Sequence, residues 1–213
     1  MALAKKDVKM RPGMVEQSIP GLTVSTVEVP SLNSMEGWWS VLNQLQVATG
    51  IVVLRPSSTA EYDKDGYLYT TDFLAEVFEV CDSRPMMIIC VCKGPIRSNM
   101  MMFPGMSTLV VATKDSTFGF PEIESDTISP TVTLAMKKRV SEQVQRRLTL
   151  VGDTIDAYEA QRIGLVDFVG DEETVENEVA RMIYKNCSPQ TQYLMNKPDL
   201  LKAMQEEEEA EDS

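Results

Sequence analysis

The stretch from Pro85 to Ile123, PMMIICVCKGPIRSNMMMFPGMSTLVVATKDSTFGFPEI, constrains the fold of this chain more than any other. MMIICVC at 86–92 is a continuous apolar run, as expected of a strand covered on both faces. Gly94 and the turn after it lead into an apolar helical segment, and TLVVAT at 108–113 is a second buried strand. A compact FGFPEI hook at 118–123 closes the stretch. In a fold that binds its ligand at a strand-to-helix turn, the site falls here.

The rest of the chain repeats the alternation. PGLTVSTVEV at 20–29 reads as a strand rich in Val and Thr. Ser34 is placed to cap a helix through about Val47, with Trp38, Val41, Leu42 and Leu45 at i, i+3, i+4 and i+7. Trp38 and Trp39 are adjacent, so one of them lies at a secondary interface. GIVVL at 50–54 is a further buried strand, and the polar residues 55–69 read as a loop. Thr70 or Thr71 caps the next helix, whose apolar face is Leu74, Val77, Phe78 and Cys81. Strand, helix, strand in this order predicts a right-handed crossover and a parallel pair. A helical region from about Pro130 to Leu150 carries a basic face of Lys137, Lys138, Arg139, Arg146 and Arg147. That face has three readings: a solvated surface, a contact for coenzyme A phosphates, or a contact for another subunit. Asp156 caps a short helix, Gly164 ends it, and LVDFV follows as a strand. Residues 171–186 form an amphipathic helix on Val175, Val179, Met182 and Ile183, and Ser188–Pro189 opens a C-terminal helix. The pattern is α/β. It divides into an exposed arm (1–19), a core (20–170), a C-terminal helical region (171–204) and an acidic, disordered tail (205–213).

The net charge is -12, and Glu206, Glu207, Glu208, Glu209, Glu211 and Asp212 supply much of it. Acidic body and tail argue against nucleic acid as a partner. The tail is either a solvated end or a docking tail for a basic partner. No apolar run approaches the roughly 20 residues of a membrane span. The N-terminus lacks the apolar core of a secretory signal, which predicts a soluble intracellular protein, in the cytoplasm or in an organelle matrix after removal of a transit peptide. There is no histidine, so His-based triads, bases and metal ligands are excluded. Cys81, Cys90, Cys92 and Cys187 form neither a disulfide framework nor a zinc site, and Cys90 and Cys92 share one face of their strand.

Three places resemble the crotonase superfamily, the enoyl-CoA hydratase/isomerase family. The first is the buried strand with Gly94 and then Phe118-Gly119-Phe120-Pro121-Glu122-Ile123. The second is Thr154-Ile155-Asp156-Ala157, Glu159-Ala160 and Arg162-Ile163-Gly164-Leu165-Val166-Asp167. The third is Ser188-Pro189. The resemblance covers roughly residues 85–200, with weaker agreement over 20–54.

The resemblance implies a spiral of ββα units in two sheets, with C-terminal helices that support a trimer. It implies no required cofactor and no metal, with a coenzyme A thioester as ligand. It also implies an oxyanion hole of two backbone N–H groups for a thioester enolate. One donor belongs to a Gly-rich turn that here reads Ser98-Asn99-Met100, and Asn99 falls at the donor position. Ser98, Met100 and Met102 are departures from the family pattern. The other donor belongs to a Gly-Ala-Asp-like turn, and none is found between Ser57 and Tyr69. The family's Arg near the end of the first strand also has no counterpart, since Glu28, Val29 and Pro30 stand there.

Hydration needs two acid–base groups around one water. Glu122 matches the second family glutamate, and Met102 stands where the first belongs. Glu122 alone suffices for a double-bond isomerase, or it anchors the hook by accepting backbone N–H bonds. Met100, Met101 and Met102 either line an acyl pocket or fill it. The resulting expectation is a crotonase-fold protein that has lost hydratase chemistry and serves as an interaction or scaffold subunit, as a homotrimer or in a larger complex. The alternative is an acyl-thioester isomerase or decarboxylase that uses Glu122 and a residual oxyanion hole.

Overall fold

The computed structural model describes residues 17–19, 22–30, 35–57, 64–84, 86–120 and 128–185. Among these, a six-stranded sheet has the order β1-β2-β3-β4-β6-β9. Its strands are β1 (Gln17–Ile19), β2 (Leu22–Val29), β3 (Gly50–Pro56), β4 (Met86–Cys92), β6 (Leu109–Thr113) and β9 (Phe168–Gly170). Only β1 runs antiparallel to its neighbour. The pairs β2–β3, β3–β4, β4–β6 and β6–β9 are all parallel, as the crossover pattern predicts. A second, three-stranded sheet joins β5 (Pro95–Arg97), β7 (Thr117–Gly119) and β8 (Ile155–Asp156).

Alternate residues of each apolar run serve different layers. Val52, Leu54, Ile88, Cys90, Cys92, Val110 and Ala112 point into the main core. There they meet α1 (Met35–Val47), α2 (Lys64–Ser83), α3 (Met102–Met106) and α4 (Pro130–Met136). Ile51, Val53, Met87, Ile89, Val91 and Val111 face the other way, onto Val175, Val179 and Met182 of α7 (Glu172–Lys185). A sheet buried on both faces is why these strands read as unbroken hydrophobic runs. Trp38 is buried and stacks on Phe103, with ring centroids 6.0 Å apart. Trp39 is half exposed and meets Phe73 edge-on at 4.9 Å, so the adjacent tryptophans divide as expected.

Three local expectations are corrected. Residues 64–69 belong to α2 and not to a loop, so Thr70 and Thr71 lie within the helix. Their polar composition is outweighed by docking of the later apolar face, since tertiary packing supplies most helix stability. The helical region from Pro130 to Leu150 is broken into α4, α5 (Glu142–Arg146) and a π turn (Arg147–Val151). Ser141 starts α5 by accepting the Val144 N–H. Finally, the ninth strand is shorter than LVDFV suggests: the Leu165 and Val166 N–H groups turn back to the Ala160 carbonyl, and the Asp167 side chain rather than a backbone carbonyl takes the Val110 N–H. Asp156 does cap α6 (Ala157–Arg162), accepting from the Glu159 N–H at 2.8 Å. The readings at Ser34 and at Ser188–Pro189 lie outside the described residues.

Candidate functional site

The turn after β4 is built from two left-handed residues. Gly94 has φ 68° and Ser98 has φ 57°, and Ser98 is the one non-glycine residue in that region among the described residues. Arg97 before it is extended, and Ser98–Met101 then form a 3-10 turn that runs into α3. The sequence places Asn99 at the donor position. The structure puts the left-handed conformation one residue earlier, and Asn99 lies in the first turn of the helix. The opening N–H groups of a helix have no partner within it, so Asn99 is in the right kind of place to present a donor.

The turn is clamped on both sides. A Cβ on Gly105 of α3 would lie 3.0 Å from the backbone of Ala135 and Met136 in α4. A Cβ on Gly119 of β7 would lie 2.9 Å from the Asp153 carbonyl oxygen. Glycine is required at such approaches because any side chain would collide with backbone. Between these clamps Met100, Met101 and Met102 are each 0% exposed, and all belong to the core that includes Phe103, Phe118 and Phe120. Glu122 and residues 58–63, where the second donor would belong, lie outside the described residues. The structure therefore places Ser98, Asn99, Met100 and Met102 together in one turn.

Among the described residues the cysteines offer no nucleophile. Cys90 Sγ and Cys92 Sγ lie 3.7 Å apart, both fully buried. The hydrogen bond between them and their burial push the Cys92 thiol well up. Burial pushes Cys81 up to about 12. A thiol held protonated is inert.

Charged residues cap the strand ends. Arg55 at the end of β3 makes two hydrogen bonds, of 2.7 and 2.6 Å, to the Glu176 carboxylate. Lys93 reaches Glu172 at 2.7 Å and Glu176 at 3.0 Å. A cavity of about 300 Å³ beside them is lined by Lys93, Thr113, Lys114, Asp115, Asp171 and Glu172. In it Lys93 pairs with Glu172 and Lys114 with Asp171. Sequence reasoning missed Arg55, although a cation directly after an apolar run was a visible signal. Four of the five cations of the 137–147 face pair within the chain: Lys138 with Asp82, Arg139 with Asp167, Arg146 with Glu142, and Arg147 with Asp153 and Glu159. The fifth, Lys137, is exposed.

Residues 66–212 match the family model described as enoyl-CoA hydratase/isomerase. Enoyl-CoA hydratase domain-containing protein 3, mitochondrial, of Xenopus laevis is 26% identical over 129 residues, which are 61% of this chain and 44% of that protein. This chain thus spans under half the length of that relative. A Mycobacterium tuberculosis (7aS)-7a-methyl-1,5-dioxo-2,3,5,6,7,7a-hexahydro-1H-indene-carboxyl-CoA hydrolase is 24% identical over 182 residues, 76% of this chain and 73% of the hydrolase. Among solved structures, an enoyl-CoA hydratase/isomerase (crotonase) from Legionella pneumophila superposes with a TM-score of 0.70 at 12% identity, over 89% of this chain and 82% of that one. With its parallel sheet, second small sheet and matching motifs, this chain belongs to the enoyl-CoA hydratase/isomerase family of the crotonase superfamily.

Proposed function

We propose that this chain is a crotonase-fold protein without enoyl-CoA hydratase chemistry that serves as an interaction subunit of a larger assembly, homotrimeric or mixed. The observation that carries this reading is Met102. It stands where the resemblance puts one of two acid–base carboxylates, and it is wholly buried in core. A thioether neither gives nor takes a proton, so the two-group chemistry of hydration lacks one group. Buried Met100 and Met101 favour a filled pocket over a lined one. Large apolar side chains left on the surface suit an interaction role: Leu134, Leu150, Val151 and Tyr158 are each more than half exposed. The names of the mitochondrial relatives favour an organelle matrix over the cytoplasm. Light scattering of the purified chain at micromolar concentration tests the reading. A mass well above the 23.8 kDa of one chain is expected. A monomer with no co-purifying partner counts against it.

A second reading is favoured by Ser98. The turn keeps a left-handed residue without glycine, which supports the Asn99 N–H as a remaining oxyanion donor. In that reading a coenzyme A thioester binds with its carbonyl at Asn99, and Glu122 shuttles a proton between two carbons as an isomerase base. Glu122→Gln would then abolish isomerisation and leave the fold intact. If Glu122 instead anchors the hook, the same change lowers stability and no activity is lost.

A further inference from the structure

Every other arginine among the described residues has an acceptor. Arg55, Arg139, Arg146, Arg147, Arg162 and Arg181 meet carboxylates, and Arg84 donates to the Leu45 carbonyl. Arg97 is the exception. It is partly buried, and its Nε, like those of Arg139 and Arg147, is sealed from solvent without a hydrogen-bond acceptor, but unlike theirs its guanidinium meets no carboxylate or carbonyl of the described residues through its other nitrogens. Two residues on, across left-handed Ser98, the Asn99 carboxamide is 1% exposed, and its Nδ2 is also a sealed donor without an acceptor. Thr117 Oγ1 on β7 and Ser129 Oγ at the start of α4 are orphaned as well, on elements that pack against the same turn. Four orphaned polar atoms around one turn require an explanation, because a buried group without its hydrogen bond costs on the order of 1–3 kcal/mol.

We propose that Arg97 and Asn99 together bind a carboxylate group, that of a small dicarboxylic acid or of its mono-thioester with coenzyme A. The missing partner is an acceptor, since Nε–H and Nδ2–H only donate. Guanidinium Nε–H and a neighbouring Nη–H form a parallel pair that matches the two oxygens of a carboxylate. The amide of Asn99, two residues on in the same turn, supplies a neutral donor, and the hydroxyls of Thr117 and Ser129 on the elements packed against that turn are further donors. A partly buried cation without a counter-ion is costly, whereas a bound carboxylate satisfies charge and geometry together. The proposal rests on the second reading above only for its location at the turn. It concerns binding, so a hydration assay can fail or succeed without deciding it.

The test is calorimetric titration of the full chain with succinyl-CoA, butyryl-CoA and free succinate. The two thioesters have equal carbon counts and differ in a terminal carboxylate. Succinyl-CoA is expected to bind about tenfold tighter or more, the scale of one hydrogen bond to a charged group. Arg97→Met should erase that preference, and Arg97→Lys, which keeps the charge but loses the fork, should keep part of it. Asn99→Asp guards against a variant that fails to fold. It preserves the side-chain shape, replaces the donor with an acceptor and sets a negative charge two residues from Arg97. It should abolish the preference while the melting temperature holds or rises. Binding of succinate alone, lost in Arg97→Met, supports the site and identifies a free acid as its source. Equal affinity for the two thioesters without succinate binding, or a preference that survives Arg97→Met or Asn99→Asp, overturns the proposal. Failure of all three probes overturns it too, and leaves a carboxylate of a protein partner as the acceptor.

Discussion

Arg139 reaches the Asp167 carboxylate at 2.6 Å, and the same carboxylate oxygen accepts the Val110 N–H at 2.7 Å. Arg139 also donates to the Ser107, Thr108 and Leu165 carbonyls. One side chain thus ties α4's C-terminal turn, the entry to β6 and the entry to β9. The Arg139 side chain is only 11% exposed, so its removal leaves carbonyls and a carboxylate without partners. Arg139→Met is predicted to cost about 2–4 kcal/mol, measured by urea denaturation. A loss within experimental error would show that the hub is dispensable.

Ser98 carries a conformation that costs a residue with a side chain on the order of 1–3 kcal/mol. Glycine removes that strain but gives back about 0.4–1 kcal/mol through the unfolded chain. Ser98→Gly is therefore predicted to stabilise the protein by about 1 kcal/mol, read from the denaturation midpoint. A destabilised variant would mean that the Ser98 side chain contributes more than its strain costs.

Much of this architecture was legible beforehand. MMIICVC and GIVVL announced doubly covered strands, and Asp156 and Gly164 bracketed α6 through side-chain chemistry that acts locally. What was not legible depends on contacts far along the chain. The start of α2 at Lys64 is decided by docking of its later turns. The break between α4 and α5 lies in residues that are all acceptable in a helix. At the site, the motif spacing identified the turn, but a left-handed serine and an orphaned Arg97 appear only when the surrounding elements are in place.

Glu176 gives a pH signature. Its hydrogen bond from Arg55, and then that from Lys93, lower it from 4.5 to about 2. A carboxylate depressed in the folded state contributes fully above its ordinary value and loses that contribution as pH falls through the folded one. Glu176 therefore stabilises the fold above pH 4.5, and the effect fades between 4.5 and about 2. Because its side chain is 37% exposed, solvent reduces the size of the effect. Glu176→Gln should be less stable than the natural chain near neutral pH, with the gap closing in acid. Urea midpoints that differ equally at all pH values would contradict this assignment.

Met102→Glu puts a carboxylate into a fully buried site. Burial without a cation favours the protonated form, so its pKa rises and stability falls as pH increases from the ordinary glutamate value up to the raised one. A loss of several kcal/mol, on the order of 3–5, is predicted at neutral pH, with partial recovery in mild acid. Hydratase activity should not return, because the turn also lacks the family's glycines. A variant as stable as the natural chain would show that the space around Met102 is wetter than its burial implies.

The most direct test of the central reading is a hydration assay on the unmodified protein. Crotonyl-CoA is supplied in excess, and loss of its enoyl absorbance is followed against a buffer control and against Met102→Glu. With Met102 sealed in the core at a position that needs an acid–base group, the rate should equal the buffer rate for both proteins. Saturable turnover by the natural chain, proportional to its concentration and absent from a heat-denatured sample, would contradict the loss of hydratase chemistry.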